Sequence, residues 1–148
     1  MAKSQFSSNY AGHWLLLLAL AGFALGSTSP APAAPTQAQV ARRFLSEILR
    51  AEYPAAYRRL APEVRARLPL GAFLAAAQPL QQLGQQRGQA IELYKLGTRL
   101  GAGGGRGRWF YSFSFAHDSL QKPPPVLLEA TFRDTTTRQV LGFGVRGR

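Results

Sequence analysis

LQQLGQQRGQAIELYKL, residues 80–96, contains the point at which the hydrophobic period of this chain changes. Apolar residues recur at helical spacing up to Gly88 and at every second position after it. A period of 3.6 buries one stripe of a helix and a period of 2 buries one face of a strand, so helices come first and an antiparallel sheet second. Helices segregated from strands in this way make an α+β domain.

Upstream of the switch, Val40, Ala41, Phe44, Leu45, Ile48 and Leu49 fall on one helical face and Arg42, Arg43, Ser46, Glu47 and Arg50 on the other, predicting an amphipathic helix over residues 37–52. Pro54 suits the first turn of a shorter segment that buries Tyr57 and Leu60 and ends at Pro62. Glu63 to Leu68 can add another helical turn. From Leu70 the spacing Leu70, Phe73, Leu74, Ala77, Leu80, Leu83 is again helical. Pro79 predicts a kink or break there, and Gly84 and Gly88 predict the end.

Downstream, Ile91 and Leu93 share a face opposite Glu92 and Tyr94. Gly101 to Gly107 (GAGGGRG) reads as a flexible hairpin connection. Trp109, Tyr111, Phe113 and Phe115 then line one face of a strand whose other face carries Phe110, Ser112, Ser114 and Ala116. Val126, Leu128, Ala130 and Phe132 alternate with Leu127, Glu129, Thr131 and Arg133, Asp134 to Thr137 turns the chain, and Leu141, Phe143 and Val145 finish it. The expectation is three helical segments on one face of a four-strand meander, with strands at 90–100, 108–117, 125–134 and 138–146 and no helix after Gly107.

Ahead of the domain, residues 14–26 (WLLLLALAGFALG) have the length of a signal-peptide core, with Ala24-Leu25-Gly26 as a cleavage site. The domain reading is a signal peptide over 1–26, a Pro/Ala-rich tether over 27–37 and a single α+β domain over 38–148. The chain is thus expected to be exported, periplasmic or extracellular, the alternative being an anchor through residues 11–26. That leader offers the one route to a membrane. Cysteine is absent from the whole chain, which removes disulfides, thiol catalysis and thiolate metal sites.

Lys and Arg number 18 against 7 Asp and Glu, for a net charge of +11. Such a charge permits attraction to phosphate, anionic lipid or acidic glycans. The cations are nearly all arginine and spread along the chain without a run of five, the pattern of a solvated basic surface.

Helices followed by four long strands, with EYPAAYRRLAPEVRARLP at 52–69 and LLEATFRDTTTRQVLGFGV at 127–145, resemble small secreted bacterial domains of the cystatin-like, nuclear-transport-factor-2-like superfamily. The likeness covers roughly residues 38–146: a Tyr-x-x-Leu, here Tyr57 to Leu60, precedes the sheet, and the last hairpin ends in Gly142-Phe143. It implies a curved four-stranded sheet wrapped round the helices to leave a conical pocket. Relatives with that fold include isomerases and dehydratases as well as proteins that only bind, dimerise or serve as accessory domains.

The chemistry to fill such a cone is sparse. Isomerase-like relatives use an aspartate and dehydratase-like ones an Asp and His pair, and neither maps onto particular residues here. His117, the one histidine after the leader, lies beside Asp118 at a strand end, the setting of a solvated turn. Glu92 and Glu129 sit opposite the apolar residues of their strands, so their expected role is to pair with Arg or Lys on the outer face of the sheet. The glycine stretch lacks the Gly-Lys-Ser/Thr of a phosphate loop, and Arg106 stands where a dinucleotide fingerprint needs its third glycine. Arg106 and Arg108 beside Trp109, Phe110 and Tyr111 could clamp single strands, but alternation assigns the aromatics to a core and export removes genomic nucleic acid. No metal and no cofactor are expected, and no catalytic residue is assigned.

The resulting expectation is an exported, non-catalytic binding or accessory domain. Its ligand-pocket candidates are Trp109, Tyr111, Phe113 and Phe115 with Phe44 and Phe73, lining an apolar cone for a small apolar ligand. The competing reading of the same residues is a packed core. A protein partner, or a homodimer through the outer sheet face with Glu92, Tyr94, Phe110, Leu127 and Val140, is the remaining option. The alternatives in other classes are an isomerase- or dehydratase-like enzyme and a basic surface that binds anions or nucleic acid.

Overall fold

The computed structural model describes residues 31–100 and 107–147. The leader, residues 27–30 of the tether, the glycine stretch 101–106 and Arg148 lie outside them. Four helices, α1 (Gln37–Leu49), α2 (Tyr53–Arg58), α3 (Pro62–Arg67) and α4 (Leu70–Arg87), precede four strands, β1 (Ile91–Arg99), β2 (Arg108–Phe115), β3 (Val126–Phe132) and β4 (Gly142–Gly147). The strands form one antiparallel sheet in the order β1-β2-β3-β4. The period change at Gly88 is therefore an α+β boundary, and Gly88 itself caps α4 with a φ of 91°.

Thr36 opens α1 with a capping box, its hydroxyl accepting from the Gln39 N–H and its own N–H donating to the Gln39 side chain. The helix ends in a Schellman pair, Glu52 N–H to the Glu47 carbonyl and Ala51 N–H to the Ile48 carbonyl, with Ala51 at a φ of 60°. That turn stops α1 at Leu49 and reverses the chain into α2. Phe44, Leu45, Ile48 and Leu49 are completely or almost completely buried, as their helical spacing requires.

Several expectations need correction. Pro79 does not break α4, which runs to Arg87. Proline is exposed there, so the Ala75 carbonyl that it leaves without an amide faces water. Gly84 does not end α4 either. It is buried inside the helix where a Cβ would stand 2.9 Å from the Leu49 Cδ2, so the glycine is there to let α1 approach. The three expected helical segments are four. A single 3₁₀ turn, Ala116–Asp118, follows β2, which ends at Phe115 rather than 117.

The sheet register confirms the inner and outer faces of β2 and β3. Phe113 opposes Leu128 and Tyr111 opposes Ala130, while Ser112 opposes Glu129. On β1 the simple alternation fails, because a bulge between Leu93 and Lys95 leaves Tyr94 as an extra residue. Beyond it Leu96 and Thr98 oppose Tyr111 and Trp109, and Lys95, Gly97 and Arg99 lie on the outer side. The last strand starts at Gly142 rather than 138. Val140, expected on the outer face, is fully buried: it bridges Leu60 in parallel, donating to the Arg59 carbonyl and accepting from the Ala61 N–H.

Phe44, Phe73, Phe113, Phe115 and Phe132 are all fully buried in one core between α1, α4 and the sheet. Phe143 from β4 meets Phe44 and Phe73 edge-on with ring centroids 5.4 Å apart in both pairs. Replacing Phe113 by Ala is expected to cost about 3–5 kcal/mol. Replacing the exposed His117 by Ala should change stability by no more than about 0.5 kcal/mol. Urea denaturation of the two variants checks the pair of values.

Candidate functional site

The candidate pocket residues come together, but as packing partners. Phe44, Phe73, Phe113 and Phe115 have no exposed surface, and Tyr111 is buried with its hydroxyl donating to Gln37 Oε1 at 3.2 Å. Trp109 is half-buried at the start of β2, edge-on to Tyr111 at 6.4 Å. Gln37 in turn donates to the carbonyls of Asp134 and Thr137, so α1, β2 and the β3–β4 turn are tied at one point.

His117 and Asp118 do not form a pair. His117 is exposed, whereas Asp118 is fully buried and both of its oxygens accept from Arg87 Nη1, at 2.9 and 2.7 Å. Arg87 stands in the last turn of α4, so the ion pair fastens the helix end to the 3₁₀ turn. Asp118 is thus a buried anchor rather than a residue of a solvated turn.

On the outer face of the sheet Glu129 has the expected arginine partners, whereas Glu92, expected to pair likewise, has no cation within ion-pair distance among the described residues. Arg146 Nε donates to its Oε2 at 2.8 Å, Arg99 makes three contacts at 3.1–3.3 Å, and the Ser112 hydroxyl donates to Oε1 at 2.8 Å. The three donors come from β4, β1 and β2, so one carboxylate on β3 stitches all four strands. Arg99 also lies over the Phe110 ring, 4.8 Å from its centroid, and that ring rests against Gly97. This cluster fills the middle of the outer face with paired charge.

Burial alone would raise the Glu129 carboxyl; the hydrogen bonds from Arg99, Ser112 and Arg146 outweigh it and hold the group below its ordinary value of 4.5. A depressed carboxylate stabilises the fold above its unfolded-state value, and that contribution is lost as pH falls through the folded-state value.

The open surface lies along α1. Gln39, Arg42, Arg43, Ser46 and Arg50 form its solvent stripe and, with Pro35, Val40 and Arg59, line a groove of about 430 Å³. A second groove of about 450 Å³ shares Pro35, Val40 and Arg59 and adds Glu47, Ala55, Arg58, Arg138 and Gln139. Arg59 divides them. Its Nε and Nη2 donate to the buried Glu47 at 2.6 Å each, and the Glu47 hydrogen bond raises the Arg59 guanidinium above its ordinary value. Arg138 holds the edge, its Nε donating to the Pro35 carbonyl at 2.7 Å.

Among the described residues, Arg42, Arg43, Arg50 and Arg58 have no carboxylate within ion-pair distance, while Arg59, Arg87, Arg99, Arg133 and Arg146 do. Among the described residues Arg65, Arg67, Lys95, Arg108, Lys122 and Arg138 are likewise outside ion-pair distance of a carboxylate, so free charge is not confined to α1; what marks α1 is that Arg42, Arg43 and Arg50 share its solvent face. Read as dispersed along the chain, this stripe was nevertheless present in the helical spacing of Arg42, Arg43, Ser46 and Arg50. Among the described residues no group of His, Asp and Glu is placed to hold a metal ion, and no helix is long and apolar enough to cross a membrane.

Glu129→Gln should destabilise the domain by about 2 kcal/mol near neutral pH, since it weakens hydrogen bonds to charged donors. The deficit should shrink as pH is lowered from 4.5, where the unfolded chain's carboxyl takes up its proton, down through the lower value of the folded state, where the wild-type carboxylate is protonated as well. Paired urea titrations across that range read the change in slope. Comparison with family models, with curated proteins and with solved structures finds no match to this chain.

Proposed function

We propose that this chain is an exported, non-catalytic binding module and that it engages an anionic ligand through the arginine stripe of α1. The observation that carries the reading is the free charge of Arg42, Arg43, Arg50 and Arg58 along two grooves that meet at Arg59. Guanidinium forks match phosphate and carboxylate oxygens in pairs, and arginine loses less of its hydration than lysine on contact. The grooves are open, and the first follows α1 from Gln39 to Arg50, which suits an extended polyanion better than an enclosed small molecule. The filled aromatic interior supports surface binding over the apolar cone, and the order of helices and sheet supports the nuclear-transport-factor-2-like architecture for the scaffold. Engagement of Asp118 by Arg87 and of Glu129 by two arginines supports a role without acid–base chemistry.

The apolar run at residues 14–26 supports export, and a native N-terminus within residues 27–35 is the expected outcome of mass spectrometry. An intact Met1 start would contradict it.

For the binding surface, the probes are a sulfated and carboxylated oligosaccharide and vesicles of phosphatidylglycerol, which present the same kinds of oxygen in different settings. The native chain should bind at least one of them, more weakly as salt is raised. Exposed cations near an anionic surface contribute about 1 kcal/mol each, so Arg42→Ala/Arg43→Ala/Arg50→Ala should weaken binding by roughly 100-fold with an unchanged circular dichroism spectrum. A small fall in melting temperature is expected, because Arg42 lies over the Phe113 ring, 5.8 Å from its centroid. Binding to neither probe, or equal binding by the triple variant, would overturn the reading.

A further inference from the structure

β1 is an edge of the sheet, and its exposed side is not polar. Leu93, Tyr94 and Leu96 are 41 %, 43 % and 49 % exposed, an apolar cluster on a nine-residue strand with β2 on one side only. Unpaired edge strands invite pairing and are normally blunted by charge, proline or short length. This one carries Lys95 and a bulge, and the bulge fixes which register a second strand could take.

We propose that β1 pairs antiparallel with β1 of a second copy of this chain about a two-fold axis at Leu96, extending two four-stranded sheets into one. The self-complementarity of the strand carries this. With Leu96 against its symmetry mate, Lys95 faces Gly97 of the second copy, so no ammonium groups meet. Leu93 and the extra Tyr94 together face Thr98 of the second copy, as Leu93 and Tyr94 fall against Phe113 within one chain. One step further, Glu92 faces Arg99 of the second copy, and symmetry makes that ion pair twice.

The faces agree as well. Leu93, Leu96 and Thr98 lie on the side of Phe113, Tyr111 and Trp109, while Glu92, Lys95, Gly97 and Arg99 lie on the side of Ser114, Ser112, Phe110 and Arg108. A register that ignored the bulge would set Leu93 on one face against Arg99 on the other. Among the described residues Glu92 has no cation within ion-pair distance, and Arg99, whose side chain is 40 % exposed, uses only Nη1 and Nη2 on Glu129. Its Nε remains for the Glu92 carboxylate. A second copy is therefore the occupant whose charges and apolar residues the edge already matches. This surface is separate from the α1 stripe, so either proposal can fail without the other.

Sedimentation of the native chain should give twice the mass of one chain at micromolar concentration. Leu96→Lys sets two ammonium groups against each other at the axis and should weaken association at least tenfold with an unchanged circular dichroism spectrum and melting temperature. Leu96→Cys, in a chain without cysteine, brings two thiols to a Cα separation of about 4.5–5.5 Å. A disulfide spans that distance. Mild oxidation should therefore convert most of Leu96→Cys to a covalent dimer, and less than a tenth of Leu120→Cys, whose position is 94 % exposed. A monomeric native chain, a dimer that Leu96→Lys leaves intact, or crosslinking no better than that of Leu120→Cys would each overturn the proposal.

Discussion

The inward face of β2 against α1 and α4 is the contact on which the rest of the molecule depends. Phe113 and Phe115 give up all their solvent exposure there, Phe44 and Phe73 close over the sheet, and Phe143 wedges between those two rings from β4. Close packing of this kind needs the helices near one another, which is why Gly84 faces Leu49 and why α1 must stop and turn at Arg50. The interior is occupied by the chain's own rings.

Charge distribution follows from the same arrangement. Four strands brought side by side put Arg99 and Arg146 on either side of Glu129, and the carboxylate absorbs both. Glu47 does the same for Arg59 from within the helical layer, and Asp118 for Arg87 at the end of α4. With the carboxylates few and three of them buried in these pairs, the arginines on the solvent side of α1 have nothing to neutralise them. Part of the net charge of +11 thereby gathers as a stripe on the solvent side of α1. Which arginines stay free is a property of the fold, since it depends on which of them reach a carboxylate.

The layer order, the amphipathic face of α1 and the inner face of β2 were legible because burial imposes a period that local sequence records. Glu129 as a cross-strand partner for arginine was legible for the same reason, from its place opposite Leu128 and Ala130. What local pattern could not give was anything decided by a distant contact. Val140 alternates correctly for a strand, yet its partner is Leu60, eighty residues earlier in the chain. Gly84 and Pro79 look like helix breakers until one is seen facing Leu49 and the other facing water. The β1 bulge leaves no mark beyond an uninterrupted alternation that the backbone then violates at Tyr94. The open groove was hidden for a different reason: free and paired arginines are identical in sequence, and the positions of Glu47, Glu63, Asp118 and Glu129 separate them.

The central claim, that the aromatic interior is core and that α1 is the binding face, is tested most directly by amide chemical-shift mapping during two titrations of the native chain. One uses the anionic oligosaccharide and the other a small apolar probe. The account predicts that the oligosaccharide moves the amides of Gln39 to Arg50 together with Arg58 and Arg59, and that the apolar probe moves none of the core. Saturable shifts at Phe113, Phe115 and Leu128 with the apolar probe, and none along α1 with the oligosaccharide, would contradict it.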